Sequence, residues 1–152
     1  MEPLNLTVRP PRGPRETLAG CCFLARTIDK VRAELPGGNP GAYVVTGPRS
    51  ISGYVLYKLR IDVDELRAAV RRAADDDDVE RWLRARIDPA TVDEINAKLA
   101  ASRIDTLPLA DREFIAARHP VMKTRGDLTT TFALLEADDA AAFGGLPEPP
   151  QP

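Results

Sequence analysis

Apolar residues recur at steps of three and four through most of this chain, and that spacing predicts helices. From Glu16 to Leu35 the stripe runs through Leu18, Cys21/Cys22, Ala25, Ile28, Val31 and Leu35, with Arg26, Asp29, Lys30 and Glu34 on other faces. Pro36-Gly37-Gly38 stops this first helix. Ahead of it, Pro3, Pro10, Pro11 and Pro14 forbid a regular helix, and Leu4, Leu6 and Val8 alternate. Residues 1–15 therefore read as an extended arm whose three apolar side chains dock on the body.

The segment from Pro36 to Gly53 reads as a loop. Its β-prone run Ala42-Tyr43-Val44-Val45-Thr46 is the one strand candidate in the chain. Helical spacing resumes through Ile51, Val55 and Leu59. Three further helices announce their starts by capping chemistry: Asp62 with Glu65, the run Asp75–Asp78, and Asp88-Pro89, where proline suits the first helical position. Their buried stripes are Leu66/Ala69/Val70/Ala73, Val79/Trp82/Leu83 and Val92/Ile95/Leu99. After Pro108 a short helix carries Phe114 and Ile115 and ends before His119-Pro120. A last helix begins at Asp127 and aligns Leu128, Phe132 and Leu135, with Asp138 to Phe143 adding a final turn. The predicted fold is all-α or nearly so: a compact irregular bundle of six to eight short helices in one domain over residues 1–143, with a disordered tail at 144–152.

A chain of 152 residues is one ordinary domain by size, and 43% apolar with 29% charged residues fits a globular protein. The net charge of −2 hides an uneven distribution. Through Arg60 there are nine basic residues against four acidic; from Ile61 onward, twelve against nineteen. Two oppositely charged halves that partly neutralise each other are the plainer reading, and an anion site near the N-terminus is the sharper one. A nucleic-acid binder would show a basic excess overall, with clustered cations or stacking aromatics, so nucleic acid is not an expected partner. No run approaches eighteen apolar residues, and none resembles a signal peptide; no membrane partner and a cytoplasmic setting are expected.

The candidate chemistry is sparse. Arg9, Arg12 and Arg15 fall at three-residue intervals on the proline-rich arm, suited either to anion capture or to pinning the arm by salt bridges. On the first helix Arg26, Asp29 and Lys30 share a face at i, i+3 and i+4, the pattern of a solvated face with weak intrahelical pairs. The alternative is that Arg26 and Lys30, with Arg12 or Arg15 and with Arg49 from the loop, ring a pocket for a carboxylate or phosphate walled by Tyr43. Asp75–Asp78 lacks the glycine and late glutamate of a calcium loop, and acidic residues there complement a helix N-terminus. His119 is the single histidine, so no metal and no cofactor is expected. Cys21-Cys22 reads as a packed, reduced pair, and Pro36–Gly41 as a turn, since it lacks the Gly-Lys-Ser/Thr ending of a phosphate loop.

Several segments are similar to one known family. They are Asn5-Leu6-Thr7-x-Arg9-Pro10-Pro11-Arg12-x-Pro14-Arg15-Glu16, Ala25 through Ala33, Leu35-Pro36-Gly37-Gly38-Asn39, Gly41-x-Tyr43, Asp127-Leu128-Thr129-Thr130 and Ala137-Asp138-Asp139. Together they resemble the bacterial family called domain of unknown function 5069. The resemblance implies a bacterial cytosolic protein of one domain. It also implies that Cys21-Cys22 stands where the family carries glycine or other small and aromatic residues, and it brings no activity or catalytic residue.

Two functional classes remain. One is a non-catalytic module that binds a small anionic ligand or a protein partner through Arg12, Arg15, Arg26, Lys30, Tyr43 and Arg49. The other is an enzyme with Asp29 as acid or base and with Arg26 and Lys30 holding an anionic substrate. Tyr54, Tyr57 and Trp82 offer a surface for a homo-oligomer.

Overall fold

The computed structural model describes residues 1–144; the tail expected at 144–152 lies outside them except for Gly144. These residues are mostly helical, with seven α-helices and one small hairpin. The chain divides into two compact units, Met1–Lys98 and the part from Leu99 onward.

In the first unit, α1 (Leu24–Ala33) is the element around which the others gather: it packs on α2 (Ile51–Lys58), on α3 (Val63–Arg72) and on strand β1 (Thr17–Leu18), while α3 packs on α4 (Asp76–Arg84). Leu24, Ile28 and Val31 of α1 are fully buried, as are Val55 of α2, Leu66 and Val70 of α3, and Val79 and Leu83 of α4. Each such side chain contributes about 1.5–3 kcal/mol by leaving water. α5 (Pro89–Ala100) adds Val92 and Ile95. The aspartate starts fall where the sequence puts them. Asp62 accepts from the amides of Asp64 and Glu65. Asp75 accepts from Asp78 N while Asp78 accepts from Ala74 N, a reciprocal cap. Asp88 accepts from Thr91 N at the head of α5.

The first helix starts eight residues later than its periodicity predicts. Thr17–Leu18 pairs antiparallel with β2 (Cys21–Cys22), joined by Ala19 and Gly20, both in the left-handed region at φ 51° and 77°. Two consecutive positive φ values are what a tight two-residue hairpin needs. Leu18 and Cys21, three apart, fit a helical stripe and a hairpin equally, so periodicity alone could not separate them. Asn96 of α5 secures the turn: its side chain accepts from Cys22 N and donates to Gly20 O, both at 2.8 Å.

The strand candidate Ala42–Thr46 forms no strand. The arm takes the pairing instead, with Leu6 N donating to Asn39 O at 2.7 Å and Asn39 N to Leu4 O at 2.9 Å. Of the three alternating apolar residues only Leu6 is buried; Leu4 is half-buried and Val8 is 71% exposed. A turn at residues 6–8, begun by the Asn5 side chain accepting from Thr7 N, breaks the expected alternation.

The unit from Leu99 holds the last two residues of α5, then α6 (Leu109–Arg118), a 3-10 turn at Pro120–Lys123 and α7 (Thr131–Ala142). Residues 102–104 pair antiparallel with 129–131: Ile104 N donates to Thr129 O and Thr131 N to Ser102 O. α7 begins four residues after the predicted start at Asp127. Asp127 is taken by a two-bond fork from Arg125 at 2.7 Å, and Thr130 caps the helix by accepting from Ala133 N. Ile104, Phe132 and Leu134 are buried, whereas α6 has no buried residue.

Candidate functional site

The polar residues of α1 are not a solvated face. Arg26 is 2% exposed, Asp29 1% and Lys30 8%. Burying three charges on one helix is costly unless each is met by geometry, and the surroundings are built accordingly.

Arg12 of the arm supplies the geometry for Asp29. Its backbone N donates to Asp29 Oδ2 at 2.9 Å, its Nε reaches both carboxylate oxygens at 3.1 Å, and a terminal nitrogen reaches Oδ1 at 2.9 Å. The other terminal nitrogen bonds Asp76 Oδ2 at the start of α4, at 2.6 Å. Arg32 adds a longer contact to Asp29 at 3.6 Å. Burial works against the Arg12 charge, but the bonds to Asp29 and Asp76 outweigh it and hold the guanidinium above its ordinary pKa. One side chain thus fastens the arm to α1 and to the acidic start of α4. This is the pinned arm that the arginine spacing allowed as its plainer outcome.

Arg26 and Lys30 lie against aromatic rings. The Arg26 guanidinium sits 5.8 Å from the Phe23 ring centre and 5.4 Å from that of Tyr43, and Lys30 Nζ sits 5.2 Å from Phe23. At these distances the ring faces attract the cations. One Arg26 nitrogen donates to Arg12 O at 3.1 Å. Lys30 Nζ donates to Ser52 Oγ at 3.1 Å, and Thr27 Oγ1 lies 2.9 Å from the same hydroxyl. Ser52 is fully buried on α2, so α1 and α2 share this polar seam inside an otherwise apolar contact.

Phe23 carries backbone strain at the head of α1. Its φ is 70°, in the left-handed region that an aromatic residue rarely adopts, and its carbonyl accepts from Thr27 N and Thr27 Oγ1. Strain of this kind costs about 1–3 kcal/mol and persists where the surroundings over-determine it. Here it holds the ring beneath both cations.

Of the residues singled out from sequence, Arg12, Arg26, Asp29, Lys30 and Tyr43 meet at this site. Arg15 and Arg49 are exposed, Arg49 in the left-handed region at φ 57° on the loop before α2. Sequence reasoning missed Phe23, Thr27, Ser52 and Asp76. Phe23 lies off the helical stripe and Ser52 inside an eight-residue apolar helix, so neither stands out by spacing. Asp76 was visible only as one member of a capping run.

The thiols stand apart from this chemistry. Cys21 is buried, and desolvation pushes its pKa up to about 12; burial also raises that of Cys22. Neither is activated as a nucleophile. Among the described residues no group of three His, Cys, Asp or Glu side chains is placed to hold a metal ion, and no helix is long and apolar enough to cross a membrane.

A mostly helical chain whose central helix buries an arm-locked carboxylate beside two ring-stacked cations is the class defined by these observations. It belongs to the family described as domain of unknown function (DUF5069), whose model matches residues 8–141. No curated protein matches the chain.

Proposed function

We propose that the chain is a non-catalytic module that binds a small anionic ligand at Arg26 and Lys30. One observation carries this reading: two cations one helical turn apart on α1 are both buried, and both are held against aromatic rings. An anion that reaches both gains charge-assisted bonds shielded from bulk water. Arg26 offers a planar fork suited to carboxylate or phosphate, and Lys30 a point charge. Tyr43, half-buried on the loop, stands at the wall. Asp29 favours this reading over an acid or base role, because both its oxygens are already taken by Arg12 and it has almost no exposed surface. Its part is to anchor the arm. The free thiols of Cys21 and Cys22 support a cytosolic setting for this activity.

Thermal unfolding of the full chain with citrate, succinate, inorganic phosphate and sulfate tests the proposal, with sodium chloride at matched ionic strength as reference. A ligand at a hundred times its Kd stabilises by about 2.7 kcal/mol, a Tm rise of about 5–10 °C for a chain this long. The rise is expected to vanish in Arg26→Met and Lys30→Met, each compared with its own anion-free baseline. A rise that survives both substitutions, or none with any of the four anions, overturns the reading.

A further inference from the structure

The unit Met1–Lys98 contains a second charged concavity that the α1 site does not use. The end of α2 and the start of α5 enclose a cleft of about 650 Å³, lined by Tyr57, Lys58, Arg60, Arg86, Asp88 and Glu94 among others. That volume is in the range of small-molecule sites.

Its walls have three kinds of chemistry. Lys58 ends α2 and Arg60 follows it by two residues; neither holds an ion-pair partner among the described residues. Arg60 is presented by a left-handed backbone at φ 56°, with its N donating to Tyr57 O. Arg86, from the segment between α4 and α5, is laid over the Trp82 ring at 4.3 Å and donates to Trp82 O at 3.1 Å, so its guanidinium is fixed in orientation. The lining also includes Asp88, Thr91 and Glu94, which follow at three-residue steps through the start of α5. Asp88 Oδ2 is occupied by Thr91 N and Thr91 Oγ1, whereas Glu94 is exposed and unengaged among the described residues. Tyr57 lines the cleft and is 80% exposed, so its ring is open to a ligand.

We propose that this cleft binds a ribonucleoside monophosphate. Three cations match a phosphate dianion. An exposed tyrosine face suits a flat base, because stacking on an aromatic ring is tolerant of base identity. A free carboxylate accepts from sugar hydroxyls or an exocyclic amino group, which a simple inorganic anion does not have. A purely anionic ligand would leave Glu94 repelling it; a ligand with donors on its uncharged part uses Glu94 and the cations together.

Calorimetric titration of the full chain tests this with AMP, inorganic phosphate, ribose 5-phosphate and adenosine. AMP is expected to bind with a Kd of about 1 mM or tighter, at least about tenfold more tightly than each of the three fragments. Arg60→Gly, which keeps the left-handed backbone, and Arg86→Gln are each expected to weaken AMP about tenfold or more, and Tyr57→Ala by about fivefold or more. Arg26→Met leaves AMP binding unchanged, which separates this cleft from the α1 site. No saturable binding of AMP, a fragment that binds as tightly as AMP, or AMP binding that is lost in Arg26→Met but kept in Arg60→Gly and Arg86→Gln overturns the proposal. Tyr57, Arg60 and Arg86 are exposed, and far-UV circular dichroism of every variant is expected to match that of the wild type.

Discussion

Arg12 and Asp29 are seventeen residues apart in sequence and join the arm to a buried helix, whereas Arg103 with Asp105 and Arg125 with Asp127 are forks between residues two apart on the surface. The first pair lies in Met1–Lys98 and the other two in the unit from Leu99. Helix burial also differs: α1, α3 and α4 each contribute fully buried side chains, whereas in the unit from Leu99 α6 contributes none and the buried apolar residues include Ile104, Phe132 and Leu134. What differs is the work each charge does. A long-range pair out of water fixes where a segment lies, because removing one partner leaves a desolvated charge behind. A local exposed fork fixes only its own turn.

That contrast is open to direct attack. The largest effect is expected from Asp29→Ala, which strips Arg12 of its main partner and should cost about 3–5 kcal/mol in urea unfolding. Arg103→Ala is expected to leave the same transition where it is. If the two variants unfold together, the buried pair has no special standing. Next comes Leu66→Ala in α3, expected to cost about 2–5 kcal/mol by opening a cavity in a filled core. Ile115→Ala in the half-buried α6 should cost clearly less, and an equal loss would mean that α6 is packed as tightly as α3.

The effect that vanishes at neutral pH is that of the Cys21 thiol, which shows only as a dependence on pH in alkaline solution. Cys21 has its pKa raised by burial to about 12, so the unfolded chain gives up this proton first, from about pH 9. Its contribution is complete below the unfolded value and is lost as pH rises toward 12. Wild type should therefore lose stability more steeply than Cys21→Ala over that interval. Parallel curves would show that the thiol is not desolvated.

Much of the helical plan was readable because capping residues and apolar stripes are local signals. Asp62, Asp75 and Asp88 cap the helices expected of them, and Leu66, Ala69, Val70 and Ala73 form the buried stripe of α3. The failures were places where a partner outside the apolar and capping pattern decided. The hairpin before α1 depends on Asn96, 74 residues beyond Cys22, and the start of α7 on Arg125 having claimed Asp127. The site was half legible for the same reason. Arg26, Asp29 and Lys30 were recognisable as one face of a helix, but the arm and α2 decide that this face is buried.

The proposed anion site is the buried charged face of α1. Hydrogen exchange with and without saturating citrate tests it most directly. Amides of Thr27 to Val31 are expected to exchange more slowly with citrate, while those of Leu109–Arg118 keep their rates. Unchanged rates along α1, or slowing confined to Leu109–Arg118, would contradict it.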